Sequence, residues 1–226
     1  MQVILAGCEY SGTTTLACAI REWMEATLGA KNLLIHDHWK VPHTSGHPFI
    51  DENHLPTEEE QEQLLHLSPK LKEMIQRHSL VYHTPIGDAA DLLLIGYVFD
   101  EAVYGPLYWG YGGSDDAVDR SAYGRYLEHR FLTASPDVVL VHLTARPGVI
   151  AERMTREPHP HGLLEEPDIE HVLERFAEEV RNSLIRQRIV LDTSDVTIEE
   201  TLEQFVQGVA PFLTPEDRVR MLMREA

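Results

Sequence analysis

The stretch Gly7-Cys8-Glu9-Tyr10-Ser11-Gly12-Thr13-Thr14-Thr15 decides the reading of this chain. Before it stands Gln2-Val3-Ile4-Leu5-Ala6, a short apolar run with β-branched residues. After it Leu16, Ala19, Ile20, Trp23 and Met24 recur at helical spacing as far as Leu28. The order is strand, glycine turn, helix. The turn has the spacing of the phosphate-binding loop G-x4-G-K-[ST], with Gly7, Gly12 and Thr14 in register and Thr13 where the lysine belongs. Glycines let backbone N–H groups turn inward as an anion nest, and the helix N-terminus adds partial positive charge. Gly7, Ser11, Gly12, Thr13, Thr14 and Thr15 are therefore the candidate phosphate contacts, and the Thr14 hydroxyl is a candidate Mg²⁺ ligand. The plainer reading is a strand-to-helix turn with threonine caps.

Outward from this turn, strand and helix patterns keep alternating. Leu33 to His36 reads as a second strand, Asp91 to Val98 as a third, Val138 to Leu143 as a fourth and Ile189 to Leu191 as a fifth. The third and fourth are continuous apolar runs, as expected of central parallel strands covered on both faces. Between them come a Pro/His/Gly-rich loop from Val41 to Pro56 and a long helical region from Thr57 to about His83, opened by a Thr57/Glu60 capping box. A glycine- and aromatic-rich loop spans Gly105 to Gly113. Further helices are expected near Ser121 to Ala134, from Pro147 to about Thr155, from Asp168 to Arg188, from Ile198 to about Val209, and after Pro215. No repeat or low-complexity linker interrupts the pattern. The expectation is one α/β domain over 1–226, a three-layer doubly wound parallel sheet of about five strands whose ligands bind at the carboxyl ends of the strands.

Composition narrows the function classes. The chain has 226 residues, 43% of them hydrophobic and 25% charged, the balance of a folded protein. With 19 Lys+Arg against 37 Asp+Glu the formal charge is −18, which argues against non-specific nucleic-acid binding. An anionic ligand must then be held by a local cluster of donors. Only Cys8 and Cys18 occur, without a CxxC pair, and no run approaches a membrane span or a signal h-region, so a reducing, cytoplasmic setting is expected. Thirteen histidines invite a zinc site, but His36 and His38 alternate along a strand end and point to opposite faces, and no HExxH pair exists.

The loop resembles that of the P-loop kinases, and the likeness extends faintly over most of the chain. His36-Asp37-His38-Trp39-Lys40 is similar to the Asp-x-aromatic segment of uridine kinases, and the resemblance makes Asp37 the base that takes a proton from the acceptor hydroxyl. The plainer reading is a turn-capping aspartate. Asp100-Glu101 follows the third strand, where thymidylate and deoxynucleoside kinases carry an acidic residue followed by arginine. This chain has no arginine at that step, which leaves Asp100 as a carboxylate directed at the metal or as a helix cap. Arg153 and Arg156, three apart near a helix end, resemble the lid arginines of these kinases, with a lid at about 153–167 and His159-Pro160-His161-Gly162 at its tip. Such arginines replace the charge that Thr13 does not supply; the plainer reading is two cations complementing a helix dipole. Asp192-Thr193-Ser194 resembles the turn that borders the adenine pocket.

A second resemblance competes. Ser11-Gly12-Thr13-Thr14 is similar to the 5′-phosphosulfate loop of sulfotransferases, which also lacks the lysine. Those enzymes place Lys or Arg before the serine, where this chain has Tyr10. Arg146-Pro147 fits the first half of their 3′-phosphate signature, but Glu152-Arg153 stands where the serine is expected. The resulting expectation is a phosphotransferase using ATP or GTP with Mg²⁺ on a small hydroxyl or phosphate acceptor such as a nucleoside or nucleotide. A sulfotransferase with a phosphoadenosine-phosphosulfate donor and a nucleotide-binding module that has lost catalysis are the alternatives. Tyr104, Tyr108, Trp109 and Tyr111 are expected to wall an acceptor pocket, to pack in the core, or to form a homodimer surface.

Overall fold

The computed structural model describes residues 1–31, 33, 35–37, 57–84, 91–159 and 162–225. Strand β1 (Gln2–Ala6) lies at the centre of a five-stranded parallel sheet of order β2-β3-β1-β4-β5, with β2 Ile35–Asp37, β3 Leu92–Ile95, β4 Val139–Thr144 and β5 Gln187–Asp192. Parallel neighbours need crossovers, and helices supply them on both faces. Alternation along the strands assigns side chains to the two faces. Ile4, Leu94 and Leu140 pack with α4 (Tyr97–Tyr104), α5 (Arg120–Ala134) and α7 (Ile169–Asn182) through Phe99, Tyr104, Leu127, Phe131 and Phe176. Val3, Leu5, Leu93, Val139 and Val141 pack with α1 (Thr13–Thr27) and α8 (Ile198–Val209) through Leu16, Ile20, Met24 and Phe205. Val3, Ile4 and Leu5 are wholly buried, each such side chain contributing about 1.5–3 kcal/mol.

Several boundaries differ from the sequence expectation for identifiable reasons. The helical region after Thr57 is two helices, α2 (Glu58–Leu65) and α3 (Pro69–His83), because Pro69 has no N–H to continue a helix and instead opens the next one. The Thr57/Glu60 capping box is present. The apolar run expected as a strand to Val98 ends at Ile95. Gly96 (φ 73°, ψ −66°) turns the chain and α4 begins at Tyr97, buried along its whole length. A helix buried all round has the same continuous apolar sequence as a central strand, so periodicity does not separate them. Residues Gly105–Trp109 form a π-helical turn rather than an irregular loop. The helix expected to reach Arg188 stops at Asn182, and Arg188 starts out along β5 with its guanidinium on the carbonyls of Val180, Ser183 and Ile185, closing the helix C-terminus. The remaining helices, α6 (Pro147–Arg156) and α9 (Pro215–Glu225), lie where expected. No helix among the described residues is long and apolar enough to cross a membrane. The Val41–Pro56 loop, with His38, Trp39, Lys40, His43, His47 and His54, lies outside the described residues.

Candidate active site

Where β1, β3, β4 and β5 end, the chain opens a cavity of about 580 Å³, walled in turn by Gly7, Ile95, Leu143 and Thr193. This is the crevice that a doubly wound sheet reserves for ligands. The glycine loop forms its floor. Gly12, at φ 95°, is the residue before α1, and no side chain caps that helix, so its first N–H groups face the cavity wall that Gly12 to Leu16 provide. At Gly7 a Cβ would stand 2.6 Å from both Leu143 O and Ser11 Oγ, so the loop closes this tightly only on glycine. Ser11 is wholly buried and its Oγ has no hydrogen-bond partner among the described residues. A buried hydroxyl left unpaired in a cavity wall is a donor waiting for an acceptor. Thr14 and Thr15 are exposed at the first turn of α1.

Asp100 comes from the first turn of α4 and is 5% exposed. A Cβ on Gly96 would lie 2.3 Å from Asp100 Oδ2, so glycine is what lets this carboxylate fold back over the end of β3 and join the cavity wall. Tyr104 and Glu9 complete that side. The Glu9 N–H donates to the Tyr104 hydroxyl at 2.9 Å. Burial pushes the Tyr104 hydroxyl and the Cys8 thiol far up, and the Asp100 and Glu9 carboxylates push both in the same direction. Cys8 is thus held as a protonated thiol beneath the loop.

Arg153 and Arg156 line the opposite wall from α6, as their spacing foresees, but in different ways. The Arg153 guanidinium donates to Tyr10 O (2.9 Å), Thr193 Oγ1 (3.1 Å) and Thr193 O (2.6 Å), tying the loop to the end of β5. Arg156 is exposed and meets only Glu152 and Glu157 among the described residues, at 3.7 and 3.9 Å. Thr193 also donates to Ser11 O at 2.9 Å, so the β5 end supports the loop directly. Beyond it Val196, Thr197, Ile198 and Thr201 extend the cavity. Arg146, by contrast, is engaged by the Asp195 carboxylate, and its N–H donates to Ser194 Oγ at 2.8 Å.

The C-terminal end of β2 is Asp37, in register with Ile95, whose side chain lines the cavity. Pro160 and His161 lie outside the described residues. The sequence reading gave Glu9 and Tyr10 no role of their own, although both were visible as the variable positions of the glycine motif. Tyr104, expected either to wall a pocket or to pack in the core, lines this cavity, as do Val196, Thr197, Ile198 and Thr201 beyond the turn after β5. No group of three or more His, Cys, Asp or Glu side chains gathers to hold a metal among the described residues.

The chain matches no protein-family model and no curated protein. Solved structures do resemble it. The YorR protein of Bacillus subtilis, in complex with phosphorylated GDP, is 16% identical with a TM-score of 0.55, over 95% of this chain and 99% of that one. Thymidylate kinase from Ehrlichia chaffeensis is 13% identical with a TM-score of 0.53, over 92% and 97%. Deoxyadenosine kinase from M. mycoides with bound dCTP is 15% identical with a TM-score of 0.54, over 93% and 100%. The fold is that of the P-loop nucleoside and nucleotide kinases.

Proposed function

We propose that the chain is a P-loop phosphotransferase moving a phosphoryl group from Mg²⁺-bound ATP or GTP to a small hydroxyl or phosphate acceptor, a nucleoside or nucleotide being the class the neighbours favour. One observation carries the reading. One cavity at the strand ends is lined by the glycine loop, Thr14, Asp100, Arg153 and Arg156 together, and the buried Ser11 hydroxyl in its floor lacks a partner among the described residues. In this reading Gly7 and Ser11 to Thr15 cradle the donor phosphates through N–H groups and hydroxyls. Thr14 and Asp100 offer hard oxygen donors, a number that suits Mg²⁺, which is usually held by one or two protein groups plus phosphate oxygens. The metal and the nucleotide supply charge neutralisation and the transferring group. Arg156 provides mobile positive charge for the equatorial oxygens, and Arg153 holds loop and lid in place around it, while Asp37 at the β2 end accepts the acceptor's proton. The lid spans about 153–167 of one domain.

Catalysis of this kind is positioning plus electrostatics. The sulfotransferase alternative needs a cation for a 3′-phosphate, and Arg146, the residue that resembles it, is paired with Asp195 on the surface. Calorimetric titration with Mg²⁺–ATP, Mg²⁺–GTP and adenosine 3′,5′-bisphosphate at fixed salt tests the proposal. Metal-dependent nucleotide binding with transfer to an acceptor in a nucleoside and nucleotide panel is the expected result. Tight metal-free binding of the bisphosphate would overturn it in favour of a sulfotransferase, and nucleotide binding without turnover would point to the degenerate module.

A further inference from the structure

Two side chains of the glycine loop, neither of them in its motif, reach across to the chain beyond α6. Glu9 is buried, and its carboxylate accepts from the Leu163 N–H (3.2 Å to Oε1, 3.1 Å to Oε2) and the Leu164 N–H (3.1 Å). Tyr10 stacks on the His159 ring at 4.1 Å, and its hydroxyl accepts from the His159 N–H at 3.1 Å. Arg153 grips the Tyr10 carbonyl at the same time. Tyr10 adopts φ 66°, a left-handed conformation that a non-glycine residue keeps only where its surroundings hold it there. Hydrogen bonds to a buried carboxylate are among the stronger ones, because the charge assists and little solvent competes. The loop therefore uses two of its cavity-lining side chains to hold the chain beyond α6 as well.

We propose that Glu9 and Tyr10 are positioning residues that fix α6 and the chain after it against the phosphate loop before any nucleotide arrives. A loop without its lysine depends on arginines from another element, and charge stabilisation is most effective when its donors stand in place beforehand. Glu9 and Tyr10 supply that preorganisation from within the loop. The inference rests on the phosphotransferase reading only for its consequence, not for the tie itself.

The test is amide hydrogen exchange on the nucleotide-free full chain, followed by Mg²⁺–ATP titration. Glu9→Ala is expected to raise exchange at Leu163 and Leu164 by about tenfold to a hundredfold, the worth of a hydrogen bond to a charged group, with β4 unchanged. Glu9→Gln, which keeps an accepting oxygen, restores part of the protection. Unchanged exchange at these two amides overturns the tie. Should Glu9→Ala fail to fold, Tyr10→Phe keeps the stacked ring and removes only the hydroxyl, and faster exchange at His159 is then expected, with no change overturning the proposal. The Kd for Mg²⁺–ATP is expected to rise about tenfold in Glu9→Ala and less in Glu9→Gln. Equal affinity despite a loosened lid overturns the positioning role. A wild-type chain that binds no nucleotide sinks the phosphotransferase reading, while the exchange result still decides the tie.

Discussion

Thr13 occupies the step at which a loop of this spacing carries a lysine, and its hydroxyl brings no charge to a phosphate. The cations on the cavity wall are Arg153 and Arg156, and the first is committed to Tyr10 and Thr193. Acid–base chemistry on the acceptor falls in the proposed reading to Asp37, which ends β2 in register with Ile95. Asp37→Asn is expected to lower kcat by about 10²–10⁴, the usual worth of a general base, while the Kd for Mg²⁺–nucleotide stays close to wild type. Steady-state kinetics with parallel calorimetry reads both numbers. An unchanged kcat would remove Asp37 from the mechanism.

At the scale of elements, the join between β3 and α4 sets the wall of the cavity that Asp100 lines. Gly96 adopts φ 73° and ψ −66°, a γ-turn geometry that strains any residue with a Cβ, and its N–H donates to Leu5 O at 2.8 Å. Added to that strain, an alanine Cβ would run into the Asp100 carboxylate. Gly96→Ala is therefore expected to destabilise the fold by about 1–3 kcal/mol in chemical denaturation and to raise the Mg²⁺ concentration needed for half-maximal activity. A variant with wild-type stability and metal dependence would show that Asp100 has no part in the metal site. A second join is held by charge. Arg120, 1% exposed at the start of α5, donates to Glu73 at 2.9 Å and lies 3.2 Å from Glu101, with Tyr111 donating to the same Glu101 carboxylate. This fastens α3, α4 and α5 to one another next to the site.

Over the whole molecule, buried titratable groups make stability depend on pH in two opposing ways. His142 on β4 is buried, its Nε2 has no partner among the described residues, and burial lowers it to about 4. The unfolded chain takes up this proton near pH 6.5 and the folded chain only near pH 4, so its contribution falls as the pH drops through that window. Glu101 runs the other way: burial raises it to about 7 against the pull of Arg120. It favours the folded state at low pH, and that contribution fades as the pH rises from about 4.5 through 7. The difference in unfolding free energy between wild type and His142→Leu cancels Glu101 and isolates His142. It is expected to shift against wild type by up to about 3 kcal/mol between pH 7 and pH 4. A pH-independent difference would mean that His142 is solvated or partnered in solution. The net charge of −18 acts at this scale too: in the proposed reading a nucleotide enters against it and relies on N–H groups, Mg²⁺ and the exposed Arg156.

The strand-turn-helix at the start, the central strands, the Thr57/Glu60 cap and the gathering of Asp100 with the glycine loop were legible because each rests on a pattern a few residues long. A strand end and the turn after it are local facts, and the rule that parallel strands present their carboxyl ends together does the rest. The split of the 91–98 run between strand and helix was not legible, because burial on all sides erases the period that tells the two apart. Nor was the different use of two arginines three residues apart, or the grip of Glu9 and Tyr10 on the chain after α6. Those contacts join residues 143 to 155 positions apart. The sequence by itself determined a glycine loop between the central strand of a parallel sheet and its first helix. Only the tertiary structure decided which side chains of that loop also hold the chain beyond α6, because partners so distant in sequence meet only once the sheet has brought them together.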